Sequence, residues 1–384
     1  MNSTNKKKTS ENKQIFPVLY TLVIGLLCSV ILSNYMDGKL TTEKSEINII
    51  ILVPLLIIEI YVAIFLQIII HEAGHLMFGL ISGYRFSSFR VGSLMLIKKE
   101  GTIKLRRLSI AGTGGQCLLN PPEMKDEKYP YVLYNFGGSI INLVSSVLFA
   151  VVAIQGSNIN IFTYQLVILA VTGTIFAFLN GIPMRLGMVN NDGYNAFSIG
   201  KSRESLRAFW IILKGNELIV SGTRPKDMPD EWFVMPSEES MKNSMTASIG
   251  ILACNRLMDQ MKFEEAKQLM EQLSLMDTGI VGLNRKLLVV DRIYCELISD
   301  NSKDILNNIL DKEQKKFMKL MKNYPSVLRT KYVYALLAEK DDRGAEQIKA
   351  KFEKIAKKYP FPSEIIAERE LMLYAEGKGM QEQS

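Results

Sequence analysis

The sequence predicts a mainly α protein: a polytopic membrane core of about four transmembrane helices, followed by a soluble all-α domain. Three observations carry this. The first half of the 384-residue chain is rich in Ile, Leu, Val and Phe and holds four long apolar spans, near 15–34, 50–82, 131–154 and 161–182. The second half is rich in Lys, Glu and Met and reads as soluble and helical. Between the second and third spans, a short alternating stretch reads as a candidate small β-hairpin.

Taken in order, Lys6-Lys7-Lys8 and the apolar run from Ile15 to Leu32 resemble a secretory signal. The run is long for a signal, and Ser33-Asn34-Tyr35-Met36-Asp37 is not a small-residue cleavage site, so a retained anchor is expected. The second span exceeds what one crossing of a roughly 30 Å hydrocarbon core needs, so it must tilt, protrude or break near Pro54. Basic residues cluster in the N-terminal tail and between spans two and three, at Arg85, Arg90, Lys98, Lys99, Lys104, Arg106 and Arg107, whereas Gln155 to Asn160 carries no charge. Both basic segments are therefore expected in the cytoplasm, and four crossings return the C-terminal half there too. The expected location is the cell membrane, multi-pass.

Ser88 to Ile97 and Thr102 to Ser109 read as short strands joined by Lys99-Glu100-Gly101, a connecting loop being the alternative. Lys201 to Lys214 is amphipathic, with Leu206, Phe209, Trp210 and Leu213 on one side, and Thr223 to Pro229 reads as a linker. Beyond Glu238, Ser248 to Met261 pairs with Phe263 to Leu273, and Ser326 to Ala338 with Ala345 to Tyr359. These pairs resemble tetratricopeptide-type hairpins at Ala253, Ala266 and Pro360. A groove for a partner peptide is the functional reading, and a plain helical bundle the alternative.

Net charge is +7 with a pI near 9.0, but much of the excess flanks apolar spans, where it sets topology rather than binding nucleic acid. Cys28, Cys117, Cys254 and Cys295 show neither metal-ligand spacing nor a disulfide framework.

The chain's 2 histidines both fall in His71-Glu72-Ala73-Gly74-His75, inside the second span. On a helix, positions i and i+4 share a face, so both imidazoles can reach one zinc ion while Glu72 sits close enough to activate a water. Burying an acid and two imidazoles at membrane depth is costly, which marks them as functional. Catalytic zinc takes three protein ligands, and with no histidine left the third should be a carboxylate. Asp192, just past the fourth span and on the same side, is the candidate. Glu59 is the rival, but lies about 18 Å from His71 along the helix axis unless the helix breaks.

These residues then form a pattern. His71-Glu72-Ala73-Gly74-His75, Gly138-Ser139-Ile140-Ile141-Asn142, and Asn180-Gly181-Ile182-Pro183 followed by Asp192-Gly193 fall in order on three successive spans. Over residues 50–200 the chain resembles the site-2 protease family of intramembrane zinc metalloproteases. The resemblance implies that His71, His75 and Asp192 bind Zn2+ and that Glu72 is the general base. It further implies that Asn142, on the face of Gly138, helps hold an extended substrate, while Asn180 and Pro183 break the fourth span and aim Asp192. Close helix packing is the simpler role for Gly137, Gly138, Ser145 and Ser146. The Asn180-to-Asp192 gap is a few residues longer than the usual motif, and Tyr194 stands where a second glycine is often found.

The expected organisation is an N-terminal tail and anchor (1–46), a catalytic membrane core (47–200), an amphipathic helix and linker (201–237), and a cytoplasmic helical-repeat-like domain (238–384). The expected function is a zinc metalloendopeptidase cutting in or near transmembrane segments of membrane-anchored peptides or proteins, in regulated proteolysis or in signal and pheromone processing. A protein or peptide partner is expected on the helical domain, and no nucleic acid. The competing class is a non-catalytic metal-binding scaffold or peptide receptor.

Overall fold

The structure, a computed structural model, describes residues 49–156, 161–186, 188–299 and 302–383. The predicted first span, the N-terminal lysines and Cys28 lie outside the described residues, among which three helices are long and apolar enough to cross a membrane, matching the other three expected spans. The chain divides into two compact units, 1–83 with 130–186 and 190–197, and 84–129 with 187–189 and 198–384.

The first unit is built from α1 (Ile49–Ile81), α2 (Val132–Gln155), α3 (Ile161–Gly181) and most of the short α4 (Asp192–Ile199). The 33 residues of α1 run unbroken through Pro54, which lies near the N-terminus, where few intrahelical bonds are lost. The candidate spans Ile57–Ile81, Val132–Gln155 and Phe162–Gly181 have 25, 24 and 20 residues. At about 1.5 Å per residue each covers a hydrocarbon core of roughly 30 Å.

The polarity of α2 is inverted relative to a soluble helix. Gly138, Asn142 and Ser146, one turn apart, are buried, while Val147, Leu148 and Val151 point outward and are exposed. That is the arrangement of a helix whose solvent is lipid. Small residues let the helices meet: a Cβ on Gly74 would stand 2.3 Å from the Gly137 carbonyl oxygen, and one on Gly137 2.5 Å from that of Gly74. The Gly137 reading as close packing is thus visible in the backbone.

The second unit opens with a four-stranded antiparallel sheet in the order β3-β2-β1-β4, from β1 (Arg85–Val91), β2 (Leu94–Lys99), β3 (Thr102–Arg107) and β4 (Gly115–Asn120). The expected hairpin is therefore half of the element. Its turn is as predicted, with Glu100 and Gly101 both at positive φ, as a tight hairpin requires. The expected first strand is two strands, because Gly92 at φ 58° folds the chain back. Buried Arg90 fixes that corner by donating to the Gly92 carbonyl (2.7 Å), Thr113 Oγ1 (2.6 Å) and the Gly115 carbonyl (3.1 Å).

Met95 and Ile97 face the core of this unit, whereas Leu94, Leu96, Ile103 and Leu105 on the opposite face are exposed. The helices that follow are α5 (Arg203–Ser221), α6 (Ser244–Asp259), α7 (Phe263–Leu275), α8 (Gly282–Ile298), α9 (Lys303–Ile309), α10 (Lys312–Leu320), α11 (Pro325–Val333), α12 (Asp342–Ala356) and α13 (Pro362–Gln383). Caps set their starts: Ser202 and Ser205 form a capping box on α5, and Asn243, Asp311 and Asp341 cap α6, α10 and α12. The expected pairs α6/α7 and α11/α12 form, but lengths running from 7 residues in α9 to 22 in α13 give no fixed repeat. The predicted linker holds a 3-10 turn at Pro225–Asp227, and Arg224 ties it to Asp259 (2.5 Å) and Glu370 (2.6 Å). The sheet and α5 belong to the same compact unit as the later helices.

Candidate metal centre

The site begins with the register of α1. His71 and His75, one turn apart, are both buried, at 7 % and 8 % exposure, and their Nε2 atoms lie 3.2 Å apart. Asp192, the first residue of α4, brings Oδ2 to 2.9 Å from His71 Nε2 and 3.3 Å from His75 Nε2. Glu72 follows His71 in the chain and is buried at 7 % exposure.

The other ring nitrogens decide what these atoms can do. His75 Nδ1 is 2.7 Å from the Tyr134 carbonyl, which only accepts, so Nδ1 carries a proton and, in the neutral ring, Nε2 is left with a lone pair. His71 Nδ1 is 2.6 Å from Asn142 Oδ1, with the same consequence. Three electron-rich atoms then face one another at 2.9–3.3 Å. A proton or a metal ion between them makes the cluster attractive, and tetrahedral zinc with bonds of about 2.0–2.2 Å separates its ligands by roughly 3.3 Å. His71, His75 and Asp192 thus fit one metal ion, their ligand atoms all lying within 4.8 Å of one another.

Asp192 reaches this point despite the long loop before it. Helix α3 ends at Gly181, two residues before Pro183, which has no N–H with which to continue the helix. The chain then loops out and is tied back by Asn191. Its Oδ1 accepts from the backbone N–H of Met184 (2.9 Å) and Tyr194 (2.9 Å), and its Nδ2 donates to the carbonyls of Leu179 (2.6 Å) and Ile182 (2.5 Å). Tyr194, in the place of the second glycine, accepts from the Arg185 guanidinium, closing the outer side of the loop. Gly193 stays close: a Cβ there would be 2.2 Å from the Gly181 carbonyl oxygen.

Gly138 makes room for the His71 ring, and Asn142 is fully buried beside it. Asn180 turns inward on its own helix, Nδ2 donating to the Phe176 carbonyl (3.0 Å), and Pro183 is exposed. Sequence reasoning missed Gln67, Tyr134 and Asn191. Gln67 had a signal, a lone amide in an apolar run four residues before His71. The other two depend on which backbone groups the fold brings near.

Two histidines and a carboxylate gathered on membrane-type helices, with a buried glutamate in the H-E-x-x-H run, define a metallopeptidase-type site set in a membrane bundle. Residues 59–327 match peptidase family M50, the site-2 protease family, and the chain belongs to it. The family is one of zinc-dependent intramembrane metalloproteases. Comparison with curated proteins and with solved structures gives no match.

Proposed function

We propose that the chain is an intramembrane zinc endopeptidase that hydrolyses a peptide bond in or near the transmembrane segment of a membrane-anchored substrate. The observation that carries this is the convergence of His71, His75 and Asp192 on one point, with Glu72 buried in the same turn of α1. His71, His75 and Asp192 would hold a zinc ion there, which when bound would supply Lewis-acid chemistry, polarising a carbonyl and lowering the pKa of water toward neutrality. Glu72 takes a proton from the attacking water and hands it to the leaving amine. Tyr134 on His75 and Asn142 on His71 orient the two rings so that each Nε2 points at the site. The surrounding helices keep bulk water from competing.

A helix hides its own peptide bonds, so the substrate must unwind before it can be cut. Strand β3 supports a route for capture, since it is an edge of its sheet, and an extended substrate could add to it as a further strand. The basic residues of the 84–129 segment favour a cytoplasmic position for it and for the helical unit, which would select substrates or bind a regulatory partner. Release of a membrane-bound regulator and processing of signal or pheromone peptides are the biological settings that fit such a cut.

The test is co-expression of a panel of membrane-anchored reporter helices with wild type or Glu72→Gln. Cleavage by wild type and not by the variant is the expected result. Equal fragment yields from the two, with zinc still bound, would leave only the non-catalytic scaffold.

A further inference from the structure

Gln67 lies on α1 one turn before His71 and is fully buried, at 0 % exposure. An amide in this position costs stability unless both its ends are bonded. Both are. Its Nε2 donates to the Leu169 carbonyl of α3 at 2.8 Å, and its Oε1 accepts from Asn142 Nδ2 of α2 at 2.6 Å.

The orientation of this chain of amides is fixed from its far end. The Leu169 carbonyl can only accept, so the Gln67 amino group must face it and Oε1 must face Asn142. Asn142 Nδ2 also lies 3.1 Å from the backbone carbonyl of Gln67, a second group that can only accept. The Asn142 amino group is therefore held on that side, leaving Oδ1 to face His71 Nδ1 at 2.6 Å. That contact needs a proton on Nδ1, which leaves Nε2 as a bare lone pair. The slot is cut to size: a Cβ on Gly173 would stand 2.5 Å from Gln67 Nε2 and 2.3 Å from Ser146 Oγ, and Ser146 Oγ in turn donates to the Asn142 carbonyl at 2.7 Å.

We propose that Gln67 is a positioning residue for metal binding: through Asn142 it locks His71 in the tautomer that presents Nε2 to the ion. The inference rests on the reading of His71, His75 and Asp192 as ligands. It gives Asn142 a task on the metal side, since both ends of its amide are engaged by Gln67 and His71.

The experiment is a zinc competition titration against a chelator on purified full-length protein in detergent. Gln67→Leu should weaken zinc binding by about tenfold to a hundredfold, the usual effect of removing a partner that orients a ligand. Asn142→Asp supplies the discriminating background. A carboxylate accepts with either oxygen and needs no orienting, but next to intact Gln67 it sets oxygen against oxygen, and Leu169 prevents Gln67 from flipping to relieve this. Gln67→Leu should therefore tighten zinc binding in the Asn142→Asp protein while loosening it in the wild type. Helix packing alone predicts loss in both backgrounds. Wild-type affinity in Gln67→Leu, or a double variant no tighter than either single, would overturn the inference. A wild-type protein without zinc would overturn the ligand reading instead.

Discussion

Gly138 lies against the His71 imidazole so closely that a methyl group on its Cα would stand 2.4 Å from Cε1 and 2.6 Å from both ring nitrogens. Its neighbour Gly137 meets the backbone of Gly74 instead, 2.5 Å from that carbonyl oxygen by the same construction. Two adjacent glycines thus serve different ends, one making room for a ligand and the other for a helix.

Gly138→Ala should therefore displace His71, reducing zinc content and lowering reporter cleavage by about a hundredfold, with the helix bundle intact. Gly137→Ala should instead push α1 and α2 apart and lower the thermal midpoint, at a cost of about 1–3 kcal/mol, typical of overpacking. Zinc analysis beside a thermal melt of each variant checks the pair.

Asn191→Leu removes four hydrogen bonds that pin the loop to the end of α3. Buried backbone groups left without partners cost about 1–3 kcal/mol each, so the loop should open and Asp192 drift from the histidines. Cleavage should fall at least about tenfold and recover partly when zinc is raised, because the lost term is ligand placement. Cleavage measured over a zinc series separates this from a general loss of fold.

Removing the metal should destabilise the first unit as well as abolish cleavage, since an ion that binds His71, His75 and Asp192 only where the fold brings them within 2.9–3.3 Å of one another stabilises that fold. Zinc restored to 100 times its dissociation constant adds about 2.7 kcal/mol to the state that binds it. Thermal melts of chelated and reloaded protein should differ by several degrees, and Asp192→Asn should erase most of the difference.

The helical unit carries a pH dependence of its own. Burial pushes the Glu364 carboxyl up to about 7, against the opposing hydrogen bond from Tyr359, and pushes Glu368 up to about 7, against the opposing charge of Arg329. Both groups hold their protons in the folded state at pH values where the unfolded chain, titrating near 4.5, has released them. The stability these two groups contribute is fully present below about 4.5, is lost as pH rises from there to about 7, and is absent above it. Each unit of upward shift represents roughly 1.4 kcal/mol. The chain's 2 tryptophans, Trp210 and Trp232, both lie in this unit, in edge-to-face contact at 5.8 Å, so their emission reports its unfolding alone. The midpoint should be lower at pH 8 than at pH 5, and Glu364→Gln with Glu368→Gln should flatten the difference.

The sheet shows how far local pattern reaches. The Glu100-Gly101 turn was legible because Gly101, the residue type that takes positive φ without strain, sits between two alternating runs. The Gly92 turn and strand β4 were not. The first sits in a run that also reads as one long strand, and the second is stabilised by pairing with β1 across a gap in sequence, Phe89 opposite Cys117. The helical pairs were legible for their amphipathic spacing, whereas their lengths were not, because a few alanines and a proline satisfy a motif without fixing helix length.

Sequence alone determined the membrane character of the first half and the pairing of His71 with His75, because apolar length and i, i+4 spacing are properties of a single helix. It also pointed to a carboxylate as third ligand, since no histidine remained. Tertiary structure decided that Asp192, 121 residues from His71, reaches the same point through the loop held by Asn191. It decided equally that Gln67, Asn142 and Tyr134 set the protons on the two rings. An amide or a carbonyl acquires such a role only from the partner opposite it, and those partners come from helices far apart in the chain.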